Sequence, residues 1–140
     1  MWLHMTSNSR FSMAVHIMTT LAYLKTKQSS AELAKTVRTN PVVVRRILGD
    51  LNQAGLILAE RGTNGGFSLA RAASGISLLD VYRAVTGDEG LVPLHDNPEN
   101  KICPVSCKIR GVLVKHLDRA QSVYERELEK ASLADLEKAM

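Results

Sequence analysis

A chain of 140 residues is long enough for one modest hydrophobic core, or for a small domain with an appended element. Two cysteines do not make a disulfide framework, and 4% aromatic content is too little for the ring-stacking platforms that read RNA. The net charge of +4 is unevenly spread, with nine Lys and Arg against three Asp and Glu in residues 1–72, and nine against eleven in residues 73–140.

Phosphate binding requires a local cationic excess of the kind seen in the first half. No apolar run is long enough to cross a bilayer. Met1-Trp2-Leu3-His4 lacks the charged-then-apolar form of a secretory signal, so a cytoplasmic protein is expected. No Ser/His/Asp order, no phosphate-cradling loop after a strand and no HExxH motif is present, which argues against an enzyme.

In chain order, Phe11, Ala14, Val15, Met18, Leu21 and Ala22 fall on one stripe of a first helix that ends near Lys25 to Gln28. His16 and Tyr23 within it read as core-edge residues rather than ligands. Ser29-Ser30-Ala31-Glu32 then spells a capping box, and Ala31, Leu33, Ala34 and Val37 give the second helix its apolar side. Arg38-Thr39-Asn40-Pro41 breaks that helix. Asn40 is a good N-cap, and Pro41 sits where its missing N–H costs nothing. Val44, Ile47, Leu48 and Leu51 recur at helical spacing until Gly55, while Val42, Val43, Arg45 and Arg46 open the exposed side. Two arginines and small side chains at a helix N-terminus suit insertion into a DNA major groove.

Leu56 to Glu60 and Phe67 to Ala70 read as strands. Between them, Asn64-Gly65-Gly66 is expected to supply the positive φ angles of a tight reversal, leaving Arg61 and Asn64 as polar groups at the tip. The competing reading is a plain surface hairpin beside an amphipathic core helix. The ordered set of capped helix, four-residue turn, proline-started helix and glycine-tipped hairpin is more specific, and it outlines a winged helix-turn-helix.

Ser77 caps a fourth helix with apolar positions Leu78, Val81, Tyr82 and Val85, and Gly87 stops it. Asp88 to Lys101 has no periodicity. From about Pro104 to Ala131 a long helix follows, with Cys103 as candidate N-cap and with Ile109, Leu113, His116, Leu117, Ala120, Val123, Tyr124 and Leu128 on one side. That stripe outruns a small winged domain and wants a partner. The same helix of a second subunit is the expected one, with Leu113, Leu117, Ala120, Tyr124 and Leu128 at the dimer interface. The alternative folds it back over its own domain. Ser132 to Met140 reads as one further short helix, with Ser132 and Asp135 as a capping pair. The expected fold is therefore mostly α with a small β wing: residues 1–87 form the DNA-binding domain, 88–103 a loop, and 104–140 a dimerisation helix and tail.

Three segments carry a family resemblance. Leu51-Asn52-Gln53-Ala54-Gly55-Leu56-Ile57, Arg61-Gly62-Thr63-Asn64-Gly65-Gly66-Phe67-Ser68-Leu69-Ala70-Arg71 and Ile76-Ser77-Leu78-Leu79-Asp80-Val81 resemble the signature of the Rrf family of bacterial regulators. That family includes the iron–sulfur cluster regulator, the nitric-oxide-sensing repressor and the cysteine-metabolism repressor. The similarity runs from about Met5 to Ala131. It implies a homodimeric winged-helix transcription factor, usually a repressor of a double-stranded DNA operator. By position, the family's DNA-reading segment falls on Thr39 to Arg46, and its wing contacts fall on Arg61 to Gly66, with Arg61, Asn64, Gly65 and Gly66 as candidates.

One departure stands out. Sensing members of the family carry three cysteines before the dimer helix, whereas Ile102 to Ile109 holds Cys103 and Cys107 alone. A cluster would need further ligands such as His95, Asp96, Glu99 or His116. Inert thiols, thiol redox sensing and an iron–sulfur cluster remain the three readings of these cysteines, and no cofactor is expected. A regulator is favoured over two alternatives, a redox protein run by Cys103 and Cys107 and a dimeric scaffold that binds only protein. Neither alternative accounts for the basic half or the helix-turn-helix pattern.

Overall fold

The first helix, α1 (Ser9–Leu24), packs against three later helices near it in the chain, the second strand of the wing and the C-terminal helix. A computed structural model describes residues 9–140; the signal-peptide reading at Met1 to His4 lies outside them. Ala14, Ile17, Met18 and Leu21 of α1 are buried, and Thr19 reaches the interior only because its hydroxyl donates to Val15 O at 2.7 Å. His16 and Tyr23 are both exposed, Tyr23 at 61%, so neither belongs to the edge of the core as expected. Each points away from the stripe centred on Ile17.

The next two helices, α2 (Ser30–Val37) and α3 (Pro41–Gln53), are fixed by their caps. The Ser29 hydroxyl accepts the Glu32 N–H at 3.1 Å, and the Glu32 carboxylate accepts the Ser29 N–H at 2.7 Å. These reciprocal bonds hold the Glu32 carboxyl below its ordinary range, the Ser29 backbone bond being the larger cause and the Ser29 hydroxyl the next. Arg38 ends α2 in the left-handed region at φ 58°. Asn40 Oδ1 then accepts the Val42 N–H at 2.8 Å and starts α3 with Pro41 in the first turn. Leu33, Val44, Ile47, Leu48 and Leu51 complete the centre of the core, while Ala31 stays exposed.

Two strands, β1 (Ile57–Glu60) and β2 (Gly66–Leu69), pair antiparallel with Ile57 opposite Leu69 and Glu60 opposite Gly66. A one-turn 3-10 helix at Ala73–Gly75 leads to α4 (Leu78–Thr86), capped by Ser77 with Asp80 and ended by Gly87 at φ 58°. On α4 the deepest apolar positions are Leu79, Val81, Tyr82 and Val85. Leu78, expected among them, is half-buried.

The long helix α5 (Pro104–Glu129) has no fully buried residue along its 26 positions. Its two apolar edges differ. Leu117, Tyr124 and Leu128 are half-buried, and Tyr124 meets Tyr82 of α4 edge-on with ring centroids 5.4 Å apart. Ile109, Val112, Leu113 and Val123 lie round the helix from that edge and are exposed, Val112 at 55% and Val123 at 52%. After Lys130 the chain turns back. The Leu78 N–H donates to Ala131 O at 2.9 Å and the Leu133 N–H to Ile76 O at 3.0 Å. The last helix, α6 (Leu133–Lys138), then packs on α1 with Leu133 fully buried. The tail thus contributes to the core of the N-terminal unit rather than extending the long helix. No described helix is long and apolar enough to cross a membrane.

Candidate nucleic-acid interface

The exposed face of α3 opens with Val42, 50% exposed, and with Arg45 and Arg46, one turn further along. Val43, expected beside them, is half-buried and packs against the core, since at helical spacing it follows Ile47 inward. Asn40 is exposed but its side chain is occupied as the cap, and Thr39 is half-buried in the turn. The Asn40 cap therefore fixes where α3 leaves the turn.

The charge around this face is arranged by removal of its acids. All three carboxylates of the basic half are engaged: Glu32 in the cap of α2, Asp50 with Arg10, and Glu60 with Lys27. Among the described residues, Lys35, Arg38, Arg45, Arg46 and Arg61 enter no ion pair. Cations without carboxylate partners leave a positive potential of the kind that attracts a phosphate backbone. Lys35 and Arg38, cationic positions of the helix-turn-helix beyond the predicted site residues, join this set only by having no ion pair among the described residues.

The wing is held in place by backbone. Gln28 and Phe67 exchange two hydrogen bonds, Gln28 N–H to Phe67 O at 3.0 Å and Phe67 N–H to Gln28 O at 2.8 Å, with Lys27 and Glu60 paired beside them. The reversal is built differently from the expected Asn-Gly-Gly scheme. Gly62 and Gly66 carry the positive φ angles, 102° and 141°, whereas Gly65 does not. Gly65 is required by space, because a Cβ there would lie 2.2 Å from Glu60 O. Arg61 and Asn64 are exposed at the tip, as expected, while Gly65 and Gly66 are half-buried.

A capped helix pair, an unpaired arginine face and a backbone-anchored wing now stand together. The profile of a family described as Rrf2, iron-dependent transcriptional regulator, matches residues 7–139. The chain belongs to the Rrf2 family of transcriptional regulators. YwnA of Bacillus subtilis, which bears the name of an HTH-type transcriptional regulator, is 41% identical over 129 residues, covering 92% of this chain and 95% of that one. A crystal structure described as that of a DNA binding protein is 37% identical and superposes with a TM-score of 0.72 over 91% of this chain and 97% of the other. The IscR of T. potens, 21% identical with a TM-score of 0.70 over 98% of this chain and 89% of its own, shares the fold.

The iron implied by the Rrf2 description does not fit the residues present. Cys103 is the half-buried N-cap of α5 and makes no side-chain capping bond. Cys107 is exposed one turn on, with its thiol 3.5 Å from Asn100 O. His95 Nδ1 accepts the Asn97 N–H at 3.3 Å, and Asp96 lies 3.7 Å from Arg110. Among the described residues no three His, Cys, Asp or Glu side chains gather closely enough to hold a metal ion. Two thiols cannot fill the four positions of a cluster iron pair or cube.

Proposed function

We propose that this regulator acts as a cytoplasmic homodimeric repressor that recognises a two-part DNA operator through α3 and the wing. The observation that carries the reading is the pair Arg45 and Arg46, without ion pairs among the described residues, on the exposed start of α3 within a basic half whose own acids are all engaged. Val42, Arg45 and Arg46 would enter the major groove, with Arg61 and Asn64 on the adjoining backbone or minor groove.

Dimer formation would cover the exposed edge of α5, formed by Ile109, Val112, Leu113, Ala120 and Val123. Leu117, Tyr124 and Leu128 would support that edge from within by packing toward α4. A two-fold dimer places two recognition helices one DNA turn or a multiple apart, and promoter occlusion then gives repression.

Selection of binding sites from random duplex DNA tests the reading. Enrichment of a palindrome with half-sites spaced by whole helical turns is the expected result. Recovery of no common sequence would remove specific operator binding.

A further inference from the structure

We propose that the groove enclosed by α4, residues 87–94 and α5 binds a small organic ammonium compound that also carries a carbonyl or hydroxyl oxygen. The groove measures about 860 Å³, within the size range of ligand sites. Its apolar wall includes Leu91, Val114 and Leu117. It lies round α5 from Ile109, Val112 and Val123; Ala120 borders both, so a dimer formed along that exposed edge would flank the groove at Ala120.

Two independent features set the ligand chemistry. Tyr82 lines the groove while only 3% exposed; its hydroxyl accepts Gln121 Nε2 at 3.2 Å. Among the described residues that hydroxyl donates its own proton to nothing, and a buried unspent donor wants an acceptor atom. The second feature is charge. The two guanidiniums of the lining are already paired, Arg83 with Glu125 at 3.0 Å and Arg110 with Asp96 at 3.7 Å. Asp88, Glu89 and Asp118 line the same groove and enter no ion pair among the described residues. The unbalanced charge facing a ligand is therefore negative. Gln121 joins the three walls, accepting the Leu91 N–H at 2.8 Å and donating to Glu125 at 3.0 Å as well as to Tyr82. An occupant would thus sit against the residue that fastens the loop to both helices.

Leucinamide supplies the ammonium, the carbonyl and an apolar body. Isoamylamine lacks the carbonyl and isocaproamide lacks the amine. Titrated into the full chain and followed by NMR, leucinamide is expected to shift the Leu91, Val114 and Leu117 resonances saturably. Each control should bind roughly threefold to tenfold more weakly. Tyr82→Phe, which keeps the ring against Phe11 and Tyr124, should lower leucinamide affinity to that of isoamylamine, and Asp118→Asn, at an exposed position, should weaken it without affecting folding. Absence of saturable shifts at these residues, equal binding of either control, or unchanged affinity in Asp118→Asn overturns the proposal. The titration uses no DNA, so its failure leaves operator binding untouched.

Discussion

Gln28 and Phe67 exchange both of their backbone hydrogen bonds, which ties the wing to the residue just before the cap of α2. The contact makes a single-residue third strand beside the hairpin, and Gly66 is what lets the chains approach. A Cβ on Gly66 would lie 3.0 Å from Gln28 O, at a φ of 141° that side chains rarely adopt. Gly66→Val is expected to destabilise the fold by about 1–3 kcal/mol. Denaturant melts check the stability, and gel shifts at a temperature where the variant is folded should still show weakened operator binding.

The arginines of α3 should separate by role. Arg45→Ala or Arg46→Ala is expected to cost roughly 1–3 kcal/mol of operator affinity wherever the side chain reads a base, with relaxed specificity at that position. A phosphate contact would instead weaken all sequences alike and flatten the salt dependence. Titrations at several salt concentrations distinguish the two. Unchanged affinity in the double variant would remove α3 from the reading role.

The two edges of α5 make opposite predictions. Val112→Glu and Val123→Glu lie on the exposed edge, so they should leave the monomer's fold intact and abolish dimerisation in sedimentation velocity. Tyr124→Ala removes the ring packed on Tyr82 and should lower thermal stability in any oligomeric state. Normal dimers from both Val variants would overturn the assignment of that edge.

Leu133 is fully buried although it lies in the C-terminal tail. Leu133→Ala should cost about 2–5 kcal/mol of stability, the range for emptying a core leucine site. Urea unfolding checks it. A surface-like loss of a few tenths would detach α6 from the core.

The capping carboxylates set the acid limit. Glu32 and Asp135 are both held below their ordinary ranges, chiefly by the backbone N–H of Ser29 and Ser132 respectively. A depressed native pKa adds stability above the unfolded value, and this is lost as pH falls through the native one. Thermal stability should therefore decline on acidification below the usual carboxylate range. Ser29→Ala should lower it by about 1 kcal/mol at neutral pH.

The local signals were readable because caps and breakers act over four residues. Ser29 with Glu32, Asn40 with Pro41, Ser77 with Asp80 and Ser132 with Asp135 each needed only their own neighbours. What escaped depended on distant chain. The Gln28–Phe67 pairing is one residue long and leaves no alternation to detect. The division of positive φ between Gly62 and Gly66 follows from the hairpin register, Glu60 opposite Gly66, rather than from composition. On α5, Leu117 and Val123 are equally apolar, and only the position of α4 decides which is covered. The return of α6 onto α1 was hidden for the same reason, since its burial rests on Ile76 and Ala131 far apart in sequence.

That return of the tail also determines how a dimer would tolerate altered operators. With α5 fastened to α4 along its inner edge, and its far end stitched back through Ala131 and Leu133, each DNA-reading head is built as one piece with the helix that would join the subunits. Heads fastened in this way are expected to swivel little. One base pair inserted between the half-sites turns the second by about 34–36° and advances it by ~3.4 Å, which must then be absorbed by bending or twisting the DNA. The regulator should behave as a caliper set to one spacing, losing affinity steeply for a single inserted pair and recovering part of it when a whole turn is added.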